Sequence, residues 1–193
     1  MTTTSTLLTF EDYLAQTDGL EGRCELVNGA LVEMPPESPE NLDIAKGLMF
    51  ALARYVPLAL IAYNTEIEVS GGRATCRLPD LVVHTEDSKA AIQGTARATI
   101  TRDMPPPALV VEVVSPGKQN RTRDYRYKHT EYAARRIPEY WIVDPVQQQV
   151  TVCQWVEGRY ENTVFTGAQV LRSYVIANLT LTANQVIVLE QQG

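Results

Sequence analysis

One carboxylate inside a continuous apolar run most constrains how this chain can fold. Residues 108–114 read ALVVEVV, and Glu112 is the only polar residue among them. Pro107 precedes the run and the Ser-Pro-Gly of residues 115–117 follows it, which is typical of a central strand covered on both faces. A buried carboxylate without a partner is energetically costly. The sequence therefore predicts either a cation against Glu112, from Arg, Lys or a metal ion, or a strand end that opens into a cleft.

The length and composition favour one ordinary globular domain spanning residues 1–193. With 45% hydrophobic and 21% charged residues, the chain is long enough to bury one sizeable core. The first residues lack a basic and apolar leader pattern, and the most apolar window, residues 48–63, contains Arg54 and Pro57. We therefore expect a soluble, cytoplasmic protein with no membrane partner.

Cysteine and histidine are too scarce or too scattered for several kinds of site. The three cysteines are widely spaced without a CxxC pair, so we interpret them as core residues in a reducing compartment. The only histidines are His84 and His129, which argues against a His-rich zinc site, and no nucleophile-elbow motif lies near either. If there is chemistry, carboxylates and lysine should carry it.

The local signals predict a mixed α+β (mixed α/β) fold. Thr9 is expected to cap a first helix, Asn28-Gly29 to turn a hairpin, and Ser38-Pro39 to begin a helix that ends near residue 55. Pro79 should make the second strand of the next hairpin kink or diverge. The remaining predicted elements are a hairpin of residues 61–69 and 73–83 turned by Gly71-Gly72, a surface connection at 86–107, the central strand, a basic helix to 136, a strand at 139–143, a hairpin at 150–165 and closing strands at 175–176 and 186–189.

Asp80 and Glu112 are the first candidates for a metal site. They lie on two apolar strands joined by the surface connection, and such strands are often neighbours in a sheet. Two converging carboxylates repel each other unless a cation lies between them, and their oxygens suit Mg²⁺ or Mn²⁺. A metal held there could activate water for phosphodiester hydrolysis. The alternative, equally compatible with the spacing, is that Asp80 caps a turn and Glu112 pairs with an arginine.

The basic helix offers a possible partner for those carboxylates. Asp124, Lys128 and Tyr132 recur every four residues and share one helix face. If that face packs over the sheet, Lys128 could reach the carboxylates and stabilise charge in a transition state. The alternative, favoured by the helix taken alone, is an ordinary exposed Asp-Lys pair.

The charge distribution indicates a local binding surface for phosphate. The net charge is −6, but residues 118–136 hold seven Lys/Arg against Asp124 and Glu131. This basic segment is a candidate nucleic-acid footprint, or else a solvated helix face. Its candidate DNA contacts are Lys118, Arg121, Arg123 and Arg126. Glu25 either belongs to an ion pair at a sheet edge or adds to the acidic cluster.

Four motifs in a fixed order resemble a known family. They are ELVNG at 25–29, RLPDLVV at 77–83, PALVVEVVSP at 107–116 and RDYRYKHTEYAARRIPEYWIVDP at 123–145. Together they resemble the Uma-type putative restriction endonuclease family of the PD-(D/E)XK nuclease superfamily. The resemblance implies a restriction-endonuclease-like αβββαβ core, to which the N- and C-terminal β-hairpins are additions.

The resemblance also implies roles for individual residues. Asp80 matches the PD aspartate and Glu112 the acidic residue of the second motif, both as metal ligands, with the carbonyl of Val113 as a further ligand. The lysine expected two residues after Glu112 is absent, because Val114 stands there. A lysine supplied by the following helix, Lys128, would replace it. Asp124 and Tyr132 would support Lys128.

The leading hypothesis is a Mg²⁺- or Mn²⁺-dependent endonuclease that cuts DNA with metal-activated water. Asp80 and Glu112 would hold the metal and Lys128 would assist the attack. The alternative is a catalytically inactive nuclease-fold module for DNA binding or protein interaction; a different metal-dependent hydrolase is a third possibility. The exposed edges of the terminal hairpins further suggest a homodimer.

Overall fold

A computed structural model describes residues 7–19, 22–69 and 73–188 of the chain. The helices are α1 (Phe10–Thr17), α2 (Pro39–Leu52), a 3-10 turn (Leu58–Leu60), α3 (Glu86–Ala91), α4 (Lys118–Thr122), a π-helical segment (Arg123–Lys128), α5 (His129–Ala134) and α6 (Ala183–Ile187). The strands are β1 (Arg23–Val27), β2 (Ala30–Met34), β3 (Ile61–Ala62), β4 (Glu66–Glu68), β5 (Cys76–Arg77), β6 (Leu81–Val83), β7 (Thr99–Ile100), β8 (Leu109–Val113), β9 (Glu139–Asp144), β10 (Gln149–Val156) and β11 (Arg159–Thr166). Within these described residues, no helix is long and apolar enough to cross a membrane.

The strands form two mixed sheets, which confirms the predicted α+β class. One sheet has the order β2-β1-β5-β4-β7 and the other the order β11-β10-β9-β8-β6-β3. In the second sheet β8 lies between antiparallel β6 and parallel β9. All five residues of β8 are buried. The prediction of a central strand covered on both faces is therefore confirmed.

The two faces of β8 belong to different cores. Val111 and Val113 pack in the core beneath α2, whereas Val110 and Val114 pack with the aromatic residues of α5 and β9. Because side chains alternate across a strand, Glu112 points to the same face as Val110. The carboxylate therefore faces the side of the sheet on which the basic helix lies.

The hairpin of residues 61–83 divides between the two sheets. Its inner strands β4 and β5 pair in the first sheet, while its outer strands β3 and β6 pair in the second. The chain changes sheets between Arg77 and Leu81, across Pro79, which lacks the N–H that a continuous ladder would need. The predicted divergence at Pro79 is confirmed, and the predicted Gly71-Gly72 turn lies outside the described residues. Asp80 consequently stands at the seam of the two sheets.

The local signals for the first elements are confirmed. Thr9 caps α1 with a reciprocal contact to Asp12, and the side chain of Ser38 accepts a hydrogen bond from the backbone N–H of Asn41 at the start of α2. Asn28 and Gly29 turn the first hairpin with positive φ of 52° and 82°, as this two-residue turn requires. Helix α2 ends at Leu52, slightly before the expected end near residue 55.

The predicted closing strands near the end of the chain are wrong. Residues 175–176 form a bend, and Ala183–Ile187 form helix α6 where a strand at 186–189 was expected, residue 189 lying outside the described part. The physical reason is a capping box, in which Thr182 and Gln185 satisfy each other's backbone N–H groups. This Thr-x-x-Gln spacing is visible in the sequence.

The connection between β6 and β8 is more structured than predicted. It contains the short helix α3 and also β7, which pairs in parallel with β4 and is buried. Residues 86–107 are therefore not a simple surface connection.

Truncation of Leu48 should destabilise the protein strongly, because this side chain of α2 is 1% exposed in the core beneath β8. We expect Leu48→Ala to lower the free energy of unfolding by about 2–5 kcal/mol through lost burial and a residual cavity. Leu42→Ala is the matched control on the same helix, where the side chain is 55% exposed. Urea denaturation should show a change within about 0.5 kcal/mol for the control; equal losses in the two variants would contradict this packing.

Candidate active site

Lys128 lies at the centre of a buried cluster of carboxylates. Its side chain is 1% exposed, and its ammonium Nζ lies 2.8 Å from Glu112 Oε2. Nζ also lies 3.3 Å from Glu25 Oε1 and 3.8 Å from Asp124 Oδ1. Lys128 therefore supplies the cation that Glu112 requires, and the alternative of an exposed Asp-Lys pair is wrong.

A π-helical segment positions Lys128. The stretch Arg123–Lys128 interrupts an otherwise α-helical run from α4 to α5. The hydroxyl of Tyr140 on β9 donates to the carbonyl oxygen of Asp124 at 3.1 Å, an oxygen that in an α-helix would accept from the N–H of Lys128. Asp124, Lys128 and Tyr132 are all buried against the sheet. Segments of this kind are frequent at functional sites.

Each carboxylate oxygen of Glu112 has one polar partner. Tyr132 donates its hydroxyl to Oε1 at 2.7 Å, and Lys128 contacts Oε2. Burial raises the pKa of Glu112 to about 8; Lys128 opposes this shift, whereas the nearby carboxylate of Asp80 adds to it. The pKa of Glu112 therefore stays above its ordinary value even with the Lys128 ammonium 2.8 Å away.

Glu25 carries the permanent negative charge of the cluster. The Arg77 guanidinium donates to Oε2 at 2.8 Å and the Leu78 N–H donates to Oε1 at 3.1 Å. Burial alone would raise its pKa, but Lys128 and Arg77 hold the pKa of Glu25 at about 2. Burial likewise disfavours a charged Lys128, yet Glu112, Glu25 and Asp124 raise the pKa of Lys128 above its ordinary value. Lys128 thus remains a cation.

Asp80 lies beside this cluster at the seam of the sheets. Its Oδ2 accepts a hydrogen bond from the backbone N–H of Val113 at 2.7 Å. Asp80 therefore lies at the carboxyl end of β8, because the two strands are neighbours as predicted. Its other oxygen, Oδ1, lies 3.8 Å from the guanidinium of Arg23, which is too far for a hydrogen bond. Burial raises the pKa of Asp80 to about 6, although Lys128 lowers it.

The oxygen donors fit a divalent cation only as an incomplete protein site. Across residues 7–19, 22–69 and 73–188, no group of three or more His, Cys, Asp or Glu side chains is arranged to hold a metal ion. Asp80 Oδ1 is available, and Glu112 and the carbonyl of Val113 are further oxygen donors, the carbonyl also accepting a 3.3 Å contact from the Asn41 amide. Mg²⁺ commonly uses one or two carboxylates together with water and substrate oxygens. The donor set is therefore compatible with this ion.

Three residues near Asp80 were not predicted from the sequence. Arg23, Glu37 and Asn41 line, together with Asp80, a cavity of about 400 Å³. The carboxylate of Glu37 accepts a hydrogen bond from Arg23 at 3.2 Å, so this carboxylate is already paired with a cation. Arg23 comes from β1, Glu37 precedes the Ser38 cap and Asn41 lies in the first turn of α2; no local motif joins them to Asp80 in the sequence. The Ser38-Pro39 helix start was the only signal in their vicinity.

The four predicted DNA contacts differ in their availability. Arg121 pairs with Asp144 and lies over the ring of Tyr125, and Arg123 pairs with Asp124 at 3.1 Å. Lys118 and Arg126 are exposed. The basic segment thus uses part of its charge inside the protein and presents the rest to solvent.

Comparison with known proteins identifies related sequences and a related fold. The family described as Uma2, putative restriction endonuclease, matches residues 10–184. The fold is similar to the crystal structure of a putative nuclease belonging to DUF820 from Anabaena variabilis ATCC 29413, with a TM-score of 0.67 and 16% identity over 93% of this chain and 97% of that chain. At this identity the likeness establishes the fold alone. No curated protein matches the chain.

Removal of the buried ammonium should destabilise the protein in a pH-dependent way. Lys128→Met leaves the carboxylates without their cation, and we expect a loss of about 3–5 kcal/mol at pH 8. The loss should shrink towards pH 5, because buried carboxyls that bind protons in the folded state favour folding at low pH. Lys118→Met is the matched control on the exposed face of the same helical run. Equal denaturant midpoints for the two variants at pH 8 would contradict the buried cluster.

Asp80 should oppose folding at neutral pH when no metal is bound. Its folded pKa of about 6 lies above the ordinary aspartate value of 3.8, so the stability that protonated Asp80 contributes is fully present below roughly pH 4 and is lost as the pH rises towards 6. We therefore expect Asp80→Asn to stabilise the metal-free protein at pH 7 by up to about 3 kcal/mol and to change little at pH 4. Chemical denaturation in EDTA measures both values. A variant that is less stable than the wild type at pH 7 would exclude this account.

Proposed function

The chain belongs to the Uma2 family of putative restriction endonucleases, and from this membership we propose that it is a Mg²⁺- or Mn²⁺-dependent endonuclease that hydrolyses phosphodiester bonds of DNA. Family and fold support a nuclease in general. The observation that carries the finer proposal is the contact of Lys128 with Glu112 beside Asp80. Lys128 thereby takes the place of the lysine that the family motif would have at the position of Val114.

Asp80, Glu112 and the carbonyl of Val113 are the proposed metal ligands. A divalent ion there would supply Lewis-acid chemistry, polarising the phosphoryl group and favouring ionisation of water. Burial raises the pKa values of Asp80 and Glu112 above their ordinary values, so protons compete with the ion for these carboxyls and metal binding should weaken as the pH falls.

Lys128 acts as a fixed positive charge in this proposal. Its pKa is raised by Glu112 and Glu25 despite burial, so it does not serve as a base. An ammonium held rigidly in a poorly solvated site stabilises negative charge that develops on phosphate in the transition state. Glu25 and Asp124 keep it protonated, and Tyr132 orients Glu112 through its hydroxyl.

The proposed DNA contacts are electrostatic. Lys118 and Arg126 are exposed on the helical run that carries Lys128 and suit the phosphate backbone, whereas Arg121 and Arg123 would first have to leave Asp144 and Asp124. The edge strands β2 and β11 leave room for a homodimer. Two-fold symmetry would suit a duplex.

The second candidate is a non-catalytic module for DNA binding or protein interaction. The observation that favours it is that Lys128 already neutralises the carboxylate cluster. Metal affinity separates the two candidates, because a module needs none.

Asp80→Asn provides the sharpest test of the nuclease. We expect nicking of supercoiled plasmid DNA in Mn²⁺ to fall by more than the roughly 10- to 100-fold typical of lost supporting contacts around a metal. Calorimetric titration of Mn²⁺ should show saturable binding to the wild type, tighter at pH 8 than at pH 6, and no binding to the variant. Because this variant is expected to be the more stable form at pH 7, unfolding cannot explain its inactivity.

Asp43→Asn is the control for the loss of one carboxylate, since Asp43 is 63% exposed. It should retain both nicking and Mn²⁺ binding. Wild-type protein that binds DNA without binding Mn²⁺ or nicking would favour the non-catalytic module. Nicking that persists in Asp80→Asn would remove Asp80 from the proposed site.

A further inference from the structure

The cavity beside Asp80 has largely apolar and aromatic walls, and the charged side chains of Arg23, Glu37, Lys46 and Asp80 also line it. Its volume is about 400 Å³, within the range of about 300–1,000 Å³ typical of small-ligand pockets. Most of its wall is apolar, and two exposed aromatic side chains, Phe50 at 64% and Tyr63 at 63%, stand along it. Aromatic rings on the wall of such a cavity offer stacking surfaces for a flat ring.

Two buried polar atoms of the cavity-lining residues lack partners. Arg23 Nε and Asn41 Oδ1 make no hydrogen bond within the described residues. The amide of Asn41 is oriented by its nitrogen, which donates to the carbonyl of Val113 and to Ser115, so that its oxygen remains a free acceptor. Both atoms have almost no exposed surface, so a base edge would reach them only if the side chain of Arg23 or Asn41 shifted. The surfaces that the cavity offers directly are the exposed rings of Phe50 and Tyr63.

We propose that this cavity binds an unpaired nucleobase of the substrate strand, next to the phosphate that is cut. This inference rests on the proposed nuclease function for its substrate. Asp80 is the link, because it lines the cavity and also receives the N–H of Val113 beside Glu112. A base whose faces are stacked inside a duplex cannot stack on Phe50 or Tyr63. The substrate is therefore single-stranded, frayed or locally opened DNA.

The test measures binding separately from cleavage. Fluorescence anisotropy with a labelled oligothymidylate and with a hairpin duplex of matched length, in EDTA at fixed salt, gives both dissociation constants. We expect wild type to prefer the single strand, and Phe50→Ala/Tyr63→Ala to weaken single-strand binding roughly tenfold, as loss of base stacking does. Tyr174→Ala, at a tyrosine 57% exposed outside this cavity, is the matched control and should bind like the wild type.

The outcomes distinguish this inference from the proposed function. A double variant that binds the single strand like wild type overturns the cavity proposal, and plasmid nicking by the wild type would still support the nuclease. Single-strand binding that depends on Phe50 and Tyr63, in a protein that never nicks DNA, would support the cavity and reject the nuclease. If the wild type binds neither probe, the cavity is not a base site. The same conclusion follows if sedimentation shows that the wild type is a dimer and that the double variant is a monomer.

Discussion

The rest of the structure depends on one buried ammonium. Lys128 lies within 4 Å of three carboxylates, each almost fully buried, and a charge in such a place persists only with close counter-charges. The helical run brings the lysine, β8 brings Glu112, and β1 brings Glu25. The ammonium therefore keeps its counter-charges only if these three elements pack together.

The division of a hairpin between two sheets gives the site its second half. Asp80 follows Pro79, where the chain leaves the first sheet, and its carboxylate reaches the N–H of Val113 in the second sheet. A residue in a continuous strand would have used its backbone for the ladder. Here a side chain completes the pairing, so one carboxylate both joins the strands and faces the cavity. Asp80 therefore serves both the pairing of the strands and the proposed metal site.

The sequence predicted what short-range signals determine. The Asn28-Gly29 turn, the Ser38 cap and the apolar run around Glu112 all lie within a few residues, and each is confirmed. Helix α6 was missed although its Thr182 capping box is visible, because an apolar tail favoured a strand. Arg23 and Asn41 could not be predicted, since only the tertiary fold brings β1 and α2 to Asp80. The position of Lys128 followed from family resemblance and not from its spacing alone.

The π-helical segment has a consequence for how this family member could lose its site. A π turn contains one residue more than the α turn it replaces. Deleting one residue between Asp124 and Lys128 would restore regular helix while leaving every side chain of the cluster encoded. Each residue of an α-helix turns the chain by about 100°, so Lys128 or Asp124 would swing away from the sheet. The cluster around Lys128 therefore depends on the spacing of its residues as well as on their identity. The deletion of one residue would disrupt it without any substitution.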